Sequence, residues 1–498
     1  MKRKTPAILT VLSLSLALLA TGCGMGDTAP EQQAASGRIR LTVNDSPTMI
    51  DASGTGVWYD VNMLTTEAET EIQVGEFTGY DLTIDGRPAQ GGETLYLRLD
   101  KLHKDHGIEV SLTNTRTGEV SENYLRTLPV TFPDMIVSGE SDGFFYTAVK
   151  DYMFKMNGGG SIVFYKHAPG AHDFKRTEID GKARYSYAMD QTHWDNPYPS
   201  GAYTFYSKHV VLDEGYNIID IVPYMMESDA VPANYPLDMH DFTILDDGHY
   251  LVGGYIPKRV TNIPGDVPHS AFGARVIASV LQEIKDGRLV WEWDSTDHPE
   301  LYAYSSVNND YYNERFQWSD YIHWNSTTVD PRDDHIVCSF RNVDAIMKIH
   351  RTTGNILWIL GGKGDQFGLS SDQKFSKQHF ARFTGNGALT LFDNATVDDE
   401  AQGATGLSRA IELVLDEENR TVLQFRDYAV DRQYSSYMAS AQRVDGDKDV
   451  FLMGWGGRDT PNALFSEVDF TGSRIIFELI YPADDPGNHT YRAYKSNA

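Results

Sequence analysis

Residues 240–252 read HDFTILDDGHYLV, which is a histidine, a short strand, a polar turn and an apolar strand. Comparable units open at His323, His379 and Ser440, so the starts lie 56 to 83 residues apart. Four short strands with their turns need about 40–60 residues, the length of one blade of a β-propeller. This degenerate repeat therefore predicts a ring of blades in which equivalent positions face a common channel.

A second half-unit supports the repeat. It is an outer hairpin that often ends in an aromatic residue, and its copies are residues 282–293, 347–358, 412–425 and 467–477. Weaker units start near Phe144 and Ala202, which brings the total to about six, and the longest interval contains an insertion near residues 296–318. No long helical period separates the strands, which disfavours a doubly wound α/β fold. We predict an all-β protein with a six-bladed β-propeller over residues 136–498.

The region before the propeller has a different pattern. Short alternating runs such as residues 39–43, 81–84 and 95–99 are separated by turn residues. This spacing is typical of small antiparallel β-sandwiches. We predict an N-terminal β-sandwich over residues 38–135.

The N-terminus has the pattern of an export signal. Lys2, Arg3 and Lys4 precede an apolar run, and small residues precede Cys23. This is the pattern of a bacterial lipoprotein signal, whereas the alternative is an ordinary cleaved signal peptide with an incidental cysteine. We predict a signal peptide at 1–22, a tether at 23–37, and an extracytoplasmic protein held at the membrane by a lipid on Cys23.

Charge and cysteine content exclude other classes. The chain has 43 Lys and Arg against 70 Asp and Glu, and its formal net charge is −27. A general nucleic-acid-binding protein needs clustered basic residues, which are absent here. Acylation of Cys23 would leave Cys338 as a single thiol in an apolar segment, which indicates a structural residue and not a nucleophile.

The candidate site consists of residues at repeat starts and one strand end. His240, His323 and His379 open three units, and Arg341 follows an apolar strand at residues 336–340. Three imidazoles and a guanidinium at one channel mouth would hold a tetrahedral oxyanion. Two other interpretations stay open: a chance alignment among 15 histidines, and a three-histidine metal site, for which the sequence has no local ligand signature.

Several catalytic motifs are missing. The sequence contains no phosphate-binding loop, no His-Glu-x-x-His and no Gly-x-Ser-x-Gly. We therefore expect no cofactor and no catalytic metal, and any group that is transferred must arrive on the substrate itself.

An ordered set of segments carries a family resemblance. They are residues 124–129, 239–242, 323–326, 339–342, 358–362, 375–380, 408–409 and 491–494. In this order they resemble the bacterial arylsulfate sulfotransferase family, which moves a sulfuryl group from a phenol ester to another phenol without a nucleotide donor. The resemblance implies a sandwich followed by a six-bladed propeller, an aryl sulfate donor, a phenolic acceptor and no cofactor. Family members with a disulfide differ from this chain, because Cys338 alone cannot form one.

The resemblance also implies roles for individual residues. His379 matches the family's nucleophile, which forms a sulfohistidine in a ping-pong reaction. His240, His323 and Arg341 match other site positions, and Asn325 matches an additional substrate contact.

The repeat would place Ser440 as a fourth channel residue. From sulfuryl chemistry we expect Arg341 and His240 to stabilise the sulfuryl oxygens and His323 to carry the proton, with the two histidine roles interchangeable. An aryl sulfatase and a non-catalytic ligand-binding propeller at the cell surface are the alternatives. The sequence does not decide between a monomer and a homodimer.

Overall fold

The computed structural model describes most of the chain. The described residues are 37–43, 46–56, 58–60, 69–98, 107–126, 131–133, 135–160, 162–190, 206–384, 387–396, 406–430, 434–445, 449–460, 463–481 and 490–497. The predicted signal peptide, Cys23 and all of the predicted tether except Gly37 lie outside these residues. Within the described ranges, no helix has the length and apolar character needed to cross a bilayer.

Two sheets form the N-terminal sandwich. The first contains β1 (Arg38–Val43), β2 (Ser46–Asp51), β4 (Glu69–Val74) and β7 (Thr94–Arg98). The second contains β3 (Trp58–Asp60), β5 (Tyr80–Ile84), β6 (Arg87–Ala89), β8 (Gly107–Asn114) and β9 (Val120–Arg126). The strands of both sheets pair antiparallel except for the parallel pair of β3 and β9. Alternate residues of both sheets, such as Leu41, Ile72, Leu82 and Val110, meet in one buried core. The alternating pattern of the sequence reflects this arrangement, because each sheet has one face against the core.

Six further sheets follow as propeller blades. The first contains β11 (Phe144–Val149), β12 (Tyr152–Asn157), β13 (Ile162–His167) and the C-terminal β37 (Ala493–Ser496). The second contains β14 (Ala171–Ile179), β15 (Lys182–Asp190), β16 (Tyr206–Leu212) and β17 (Ile218–Val222), with β18 (Leu237–Asp238) added beside β16. The third contains β19 (Thr243–Asp246), β20 (His249–Val260), β21 (Ala274–Lys285) and β22 (Arg288–Asp294).

The remaining three blades are built from strands that follow one another in the chain, apart from one earlier strand in the sixth. The fourth contains β23 (Trp324–Val329), β24 (Ile336–Phe340), β25 (Ala345–Ile349) and β26 (Ile356–Gly361). The fifth contains β27 (His379–Phe383), β28 (Leu389–Asp393), β29 (Arg409–Asp416) and β30 (Thr421–Ala429). The sixth contains β32 (Ser440–Asp445), β33 (Val450–Gly454), β35 (Ala463–Asp469), β36 (Arg474–Ile480) and β10 (Ile136–Gly139), and a separate pair is formed by β31 (Tyr434–Tyr437) and β34 (Gly457–Thr460).

The ring closes through both ends of the propeller chain. The last strand, β37, pairs with β11 in the first blade, and β10 pairs with β36 in the last blade. Each junction therefore joins residues more than 300 positions apart by backbone hydrogen bonds, which removes the open sheet edges that an unclosed ring would leave.

The middle strands explain the apolar runs in the sequence. All five residues of β24, β28 and β33 are buried, because neighbouring blades cover both faces of these strands. Cys338 lies in β24 with its thiol buried, and burial raises the pKa of this thiol to about 12, consistent with a structural role. The predicted all-β fold is confirmed.

The predicted insertion lies between β22 and β23. It contains a 3₁₀ turn at Ser295–Asp297 and the short helix α1 (Leu301–Tyr304). A second 3₁₀ turn, Arg341–Val343, follows β24. The insertion contacts this turn directly, because the Ser306 backbone amide donates to the Asn342 carbonyl at 2.8 Å.

Candidate functional site

The three repeat-start histidines lie at the beginning of inner strands. His240 precedes β19, His323 precedes β23, and His379 is the first residue of β27. Their exposed fractions are only 5%, 4% and 2%. The rings of His240 and His323 are in edge-to-face contact with centroids 5.0 Å apart. The structure therefore brings these two imidazoles into contact in the buried interior of the propeller.

Hydrogen bonds determine the tautomer of His379. Its Nδ1 lies 2.9 Å from the Lys377 carbonyl and 2.7 Å from Oδ1 of Asn394. The orientation of the Asn394 amide is set by its Nδ2, which donates to the carbonyls of Ser435 and Met438 at 2.8 and 3.1 Å. Because both partners of Nδ1 are acceptors, we assign the hydrogen to Nδ1. The lone pair of His379 then lies on Nε2.

The surroundings of His379 keep it neutral. Burial lowers its pKa well below the usual value, and the positive charge of Arg341 acts in the same direction. His240 and Arg492 add smaller effects, while the hydrogen bond to Asn394 opposes them. A neutral imidazole with an available Nε2 lone pair is the form of histidine that attacks an electrophile.

The other two histidines have carboxylate partners. Nδ1 of His240 lies 2.5 Å from Oδ1 of Asp238, and Nδ1 of His323 lies 2.6 Å from Oδ2 of Asp320. Burial lowers the pKa of His323, whereas Asp320 acts in the opposite direction. A carboxylate at Nδ1 stabilises the imidazolium form, which suits a residue that accepts and returns a proton.

Tyr255 connects the two carboxylate-paired histidines. Its ring stacks on His323 at 5.1 Å, and its hydroxyl lies 3.3 Å from Nδ1 of His240. The same hydroxyl donates to the Trp324 carbonyl. Burial raises the pKa of Tyr255 well above its usual value, so the hydroxyl stays protonated. The sequence carried no local signal for this residue.

Arg341 lies beside His323. Its backbone amide donates to the His323 carbonyl at 2.8 Å, and its Nη1 donates to Oδ1 of Asn342 at 2.8 Å. Its charge acts on both His323 and His379, because it lowers the pKa of each. The guanidinium therefore acts electrostatically on the candidate nucleophile.

Asn325 and Ser440, the predicted substrate contacts, are both fully buried. Nδ2 of Asn325 donates to the Gln378 carbonyl at 2.8 Å, next to His379, while its Oδ1 has no hydrogen-bond partner in the described part of the chain. The Ser440 hydroxyl donates to the Ala493 carbonyl and accepts from the Ala493 amide, both at 3.2 Å. Ser440 thus joins the sixth blade to the C-terminal strand, and the substrate roles of both residues stay predictions.

Left-handed backbone conformations occur at two residues of the site. His323 has φ of +56° and Lys377 has φ of +53°, and such non-glycine positions cost about 1–3 kcal/mol each. Lys377 is anchored by Asp344, which accepts from its backbone amide at 2.9 Å and from Nζ at 3.2 Å. Nζ also donates to Ser306 of the insertion at 2.8 Å. The insertion therefore helps to hold the backbone that positions His379.

A buried ionic network lies beside the histidines. Asp241 accepts from Lys175 at 3.1 Å, from Arg382 at 2.7 Å and from Arg492 at 3.1 Å. Asp173 accepts from Lys175 at 2.6 Å and from Arg492 at 3.3 Å. Three cations surround two carboxylates, so the network has one excess positive charge.

One acidic cluster has the spacing of a metal site but contains a lysine. Possible ligand atoms of Asp330, Asp333 and Glu417 lie within 4.8 Å of one another, and the three channel histidines form no such group in the described ranges. Nζ of Lys348 donates to the three acidic residues at 2.7, 2.6 and 2.8 Å. The ammonium group accounts for the cluster.

The buried histidines predict how stability depends on pH. Burial lowers the pKa of His209 to about 4 and also lowers the pKa values of His323 and His379. Unfolded histidines titrate near 6.5, so below that pH the unfolded chain takes up protons that these sites do not. Each site then lowers the free energy of unfolding by up to about 1.4 kcal/mol per pH unit. Burial raises the pKa of Asp393 to about 6, so this group binds a proton more readily in the folded state than in the unfolded state. Its effect on the free energy of unfolding offsets that of one of the three histidines.

We therefore expect a smaller free energy of unfolding at pH 5 than at pH 7, measured by urea denaturation at both values. Ion-paired aspartates do not alter this expectation, since unfolded carboxyls titrate only near pH 4. An equal or larger free energy at pH 5 would contradict the neutral state of these histidines.

The chain is similar in sequence to known proteins. The sequence pattern described as Arylsulfotransferase (ASST) matches residues 150–492. A curated relative, "Arylsulfate sulfotransferase AssT" of Lelliottia amnigena, is 25% identical over 210 residues, and the match covers 35% of each protein. The chain thus spans about a third of that relative's length.

Solved structures found by structural comparison have low sequence identity and low TM-scores. The β-propeller domain of Cps50 (Swd1) from Myceliophteria thermophila is 9% identical, with a TM-score of 0.35 over 71% of this chain and 90% of that chain. Hydrazine synthase of Kuenenia stuttgartiensis is 12% identical, with a TM-score of 0.32 over 88% of this chain and 97% of that chain.

Proposed function

The chain belongs to the arylsulfotransferase family, and we propose that it moves a sulfuryl group from a phenolic sulfate ester to a phenol through a sulfohistidine at His379. One observation carries the proposal: Nδ1 of His379 faces two hydrogen-bond acceptors, which leaves the Nε2 lone pair for attack on sulfur. Burial and the charge of Arg341 favour the neutral ring. Two histidines with carboxylate partners supply proton carriers in the same channel.

In the first step, Nε2 of His379 attacks sulfur while the bond between sulfur and the aryl oxygen breaks. Arg341 and His240 stabilise the sulfuryl oxygens, and protonated His323 gives its proton to the leaving phenolate. The negative charge of the bound sulfate favours protonation of His323, which Asp320 also supports. Such group transfers depend mainly on positioning and charge stabilisation.

In the second step, a phenol enters after the first phenol has left. His323 takes the acceptor's proton, the acceptor oxygen attacks sulfur, and the bond between sulfur and Nε2 breaks. His379 returns to its neutral form. The ester donor carries the transferred group itself, so the residues need no cofactor for this chemistry.

The decisive experiment measures release of nitrophenol from p-nitrophenyl sulfate by the purified protein, with and without added phenol. Phenol-dependent release of nitrophenol, together with formation of phenyl sulfate, is the expected result. Release that does not depend on phenol would indicate an aryl sulfatase. No release with simple aryl sulfates would favour a non-catalytic ligand-binding propeller.

The roles of the two carboxylate-paired histidines can be separated. We expect Asp320→Asn to lower turnover by about 100-fold for unsubstituted phenyl sulfate and much less for p-nitrophenyl sulfate, because a poor leaving group needs the proton more. Asp238→Asn is the matched control, since it changes the partner of His240 in the same way. The reverse result, with the leaving-group dependence at Asp238, would exchange the two roles.

We also propose that the protein is extracytoplasmic and lipid-anchored at Cys23, on the basis of the basic, apolar and small-residue pattern before that cysteine. Incorporation of a labelled fatty acid that is lost in Cys23→Ser is the expected result. Labelling that persists in the variant would contradict this anchor.

A further inference from the structure

The three channel histidines differ in what their Nδ1 atoms contact. The Nδ1 atoms of His240 and His323 face carboxylates, whereas Nδ1 of His379 faces the neutral amide of Asn394 and a backbone carbonyl. From this difference we infer that Asn394 is a positioning residue whose neutral amide keeps the sulfated His379 ring a good leaving group for transfer to the acceptor. The inference rests on the proposed function.

The structure holds the Asn394 amide in one orientation. Asn394 is fully buried, and its Nδ2 donates to the carbonyls of Ser435 and Met438. The Ser408 hydroxyl donates to the Asn394 backbone carbonyl at 3.1 Å and accepts from the Ser435 amide at 2.9 Å. Ser435 belongs to β31, so backbone carbonyls in and beside the short pair β31–β34 orient the Asn394 amide toward His379.

The chemistry of the intermediate explains why a neutral acceptor matters. When Nε2 bonds to sulfur while Nδ1 keeps its hydrogen, the ring is an imidazolium, which is a good leaving group in the second step. A carboxylate in the place of the amide would stabilise that cation or take its proton. The ring would then be a poorer leaving group, and the sulfuryl group would remain on His379.

The charged groups around His379 lower its pKa, whereas the hydrogen bond to the Asn394 amide raises it. Arg341 after β24, His240 before β19 and Arg492 before β37 all lower its pKa. Asp393, the residue before Asn394, has its carboxylate bonded to Arg409 at 3.0 Å and to the Ser376 amide at 3.0 Å. The charges acting most strongly on His379 are therefore positive, and an aspartate at 394 would add a carboxylate in direct contact.

The test is Asn394→Asp in the full-length protein, with p-nitrophenyl sulfate as donor and phenol as acceptor. We expect a burst of about one nitrophenol per protein molecule, followed by turnover at least 10-fold slower than that of the wild type. Mass spectrometry of quenched samples should find sulfated His379 accumulating in the variant. Turnover without a burst and without accumulated sulfohistidine would overturn the inference.

Two control variants separate charge from packing. Asn394→Ala removes the amide without adding charge and should slow both steps without accumulation of sulfohistidine. Gln442→Glu changes another amide on an inner strand, where its Nε2 donates to the Lys495 carbonyl at 2.9 Å, and should show no burst. A burst in either control would contradict the specific role of Asn394.

The tautomer can be measured without any variant at position 394. ¹⁵N NMR of histidine-labelled protein, with His379 assigned by its loss in His379→Ala, should show a neutral ring protonated at Nδ1 from pH 6 to 9. Protonation at Nε2 would overturn the inference even if Asn394→Asp did not fold. Absence of phenol-dependent turnover in the wild type would instead reject the proposed function, so the two failures are distinguishable.

Discussion

His379→Ala is expected to lower phenol-dependent turnover of p-nitrophenyl sulfate by about 100,000-fold, because removal of a catalytic nucleophile leaves only binding and charge stabilisation. The rate of nitrophenol release with saturating phenol measures the effect. Covalent labelling of the protein by ³⁵S-labelled aryl sulfate should disappear in the same variant.

A matched histidine variant gives the control. His249 is paired with Glu283 at 2.6 Å at the far end of the third blade's hairpin, so His249→Ala should keep turnover within a few-fold of the wild type. Turnover of His379→Ala within 10-fold of the wild type would exclude His379 as the nucleophile.

Arg492→Met is expected to lower the free energy of unfolding by about 3–5 kcal/mol, since it leaves buried carboxylates with fewer partners. The guanidinium is fully buried and donates to Asp173, to Asp241 and, at 2.7 Å, to the Asn325 carbonyl. It also lies next to β37, which closes the ring. Urea denaturation at pH 7 measures the loss.

An exposed arginine provides the comparison. The Arg426 side chain is 50% exposed and pairs with Asp449 at 3.0 Å. Exposed pairs of this kind contribute about 0–1 kcal/mol, so Arg426→Met should change the free energy of unfolding by no more than that. Equal losses in both variants would mean that the network around Arg492 does not stabilise the propeller more than a surface pair does.

Part of the candidate site was accessible from the sequence. The repeat placed His240, His323 and His379 at equivalent strand starts, and the structure brings the first two into contact. A carboxylate two or three residues before His240 and His323 was visible as well, although its role was not. Asn394 had a weaker signal: it follows β28 as Arg341 follows β24.

The contacts of other residues had no signal at the level of sequence. Tyr255 in the third blade contacts His323 at the start of the fourth blade, and Arg492 reaches Asp241 across 251 positions of the chain. The Ser440 hydroxyl is bonded to the C-terminal strand, a contact that the repeat did not predict. Such contacts depend on how the blades close into a ring, which strand periodicity does not specify.

The sequence by itself determined the architecture, because apolar strands and turn residues recurring at blade-length intervals can bury their faces only by stacking into a ring. Only the tertiary structure decided the protonation chemistry. The location of the hydrogen on His379 depends on Asn394, 15 residues away, and its pKa depends on burial and on charges from Arg341 and Arg492. Desolvation and electrostatic interaction act through space, so residues distant in the chain acquire these effects only when folding brings them together.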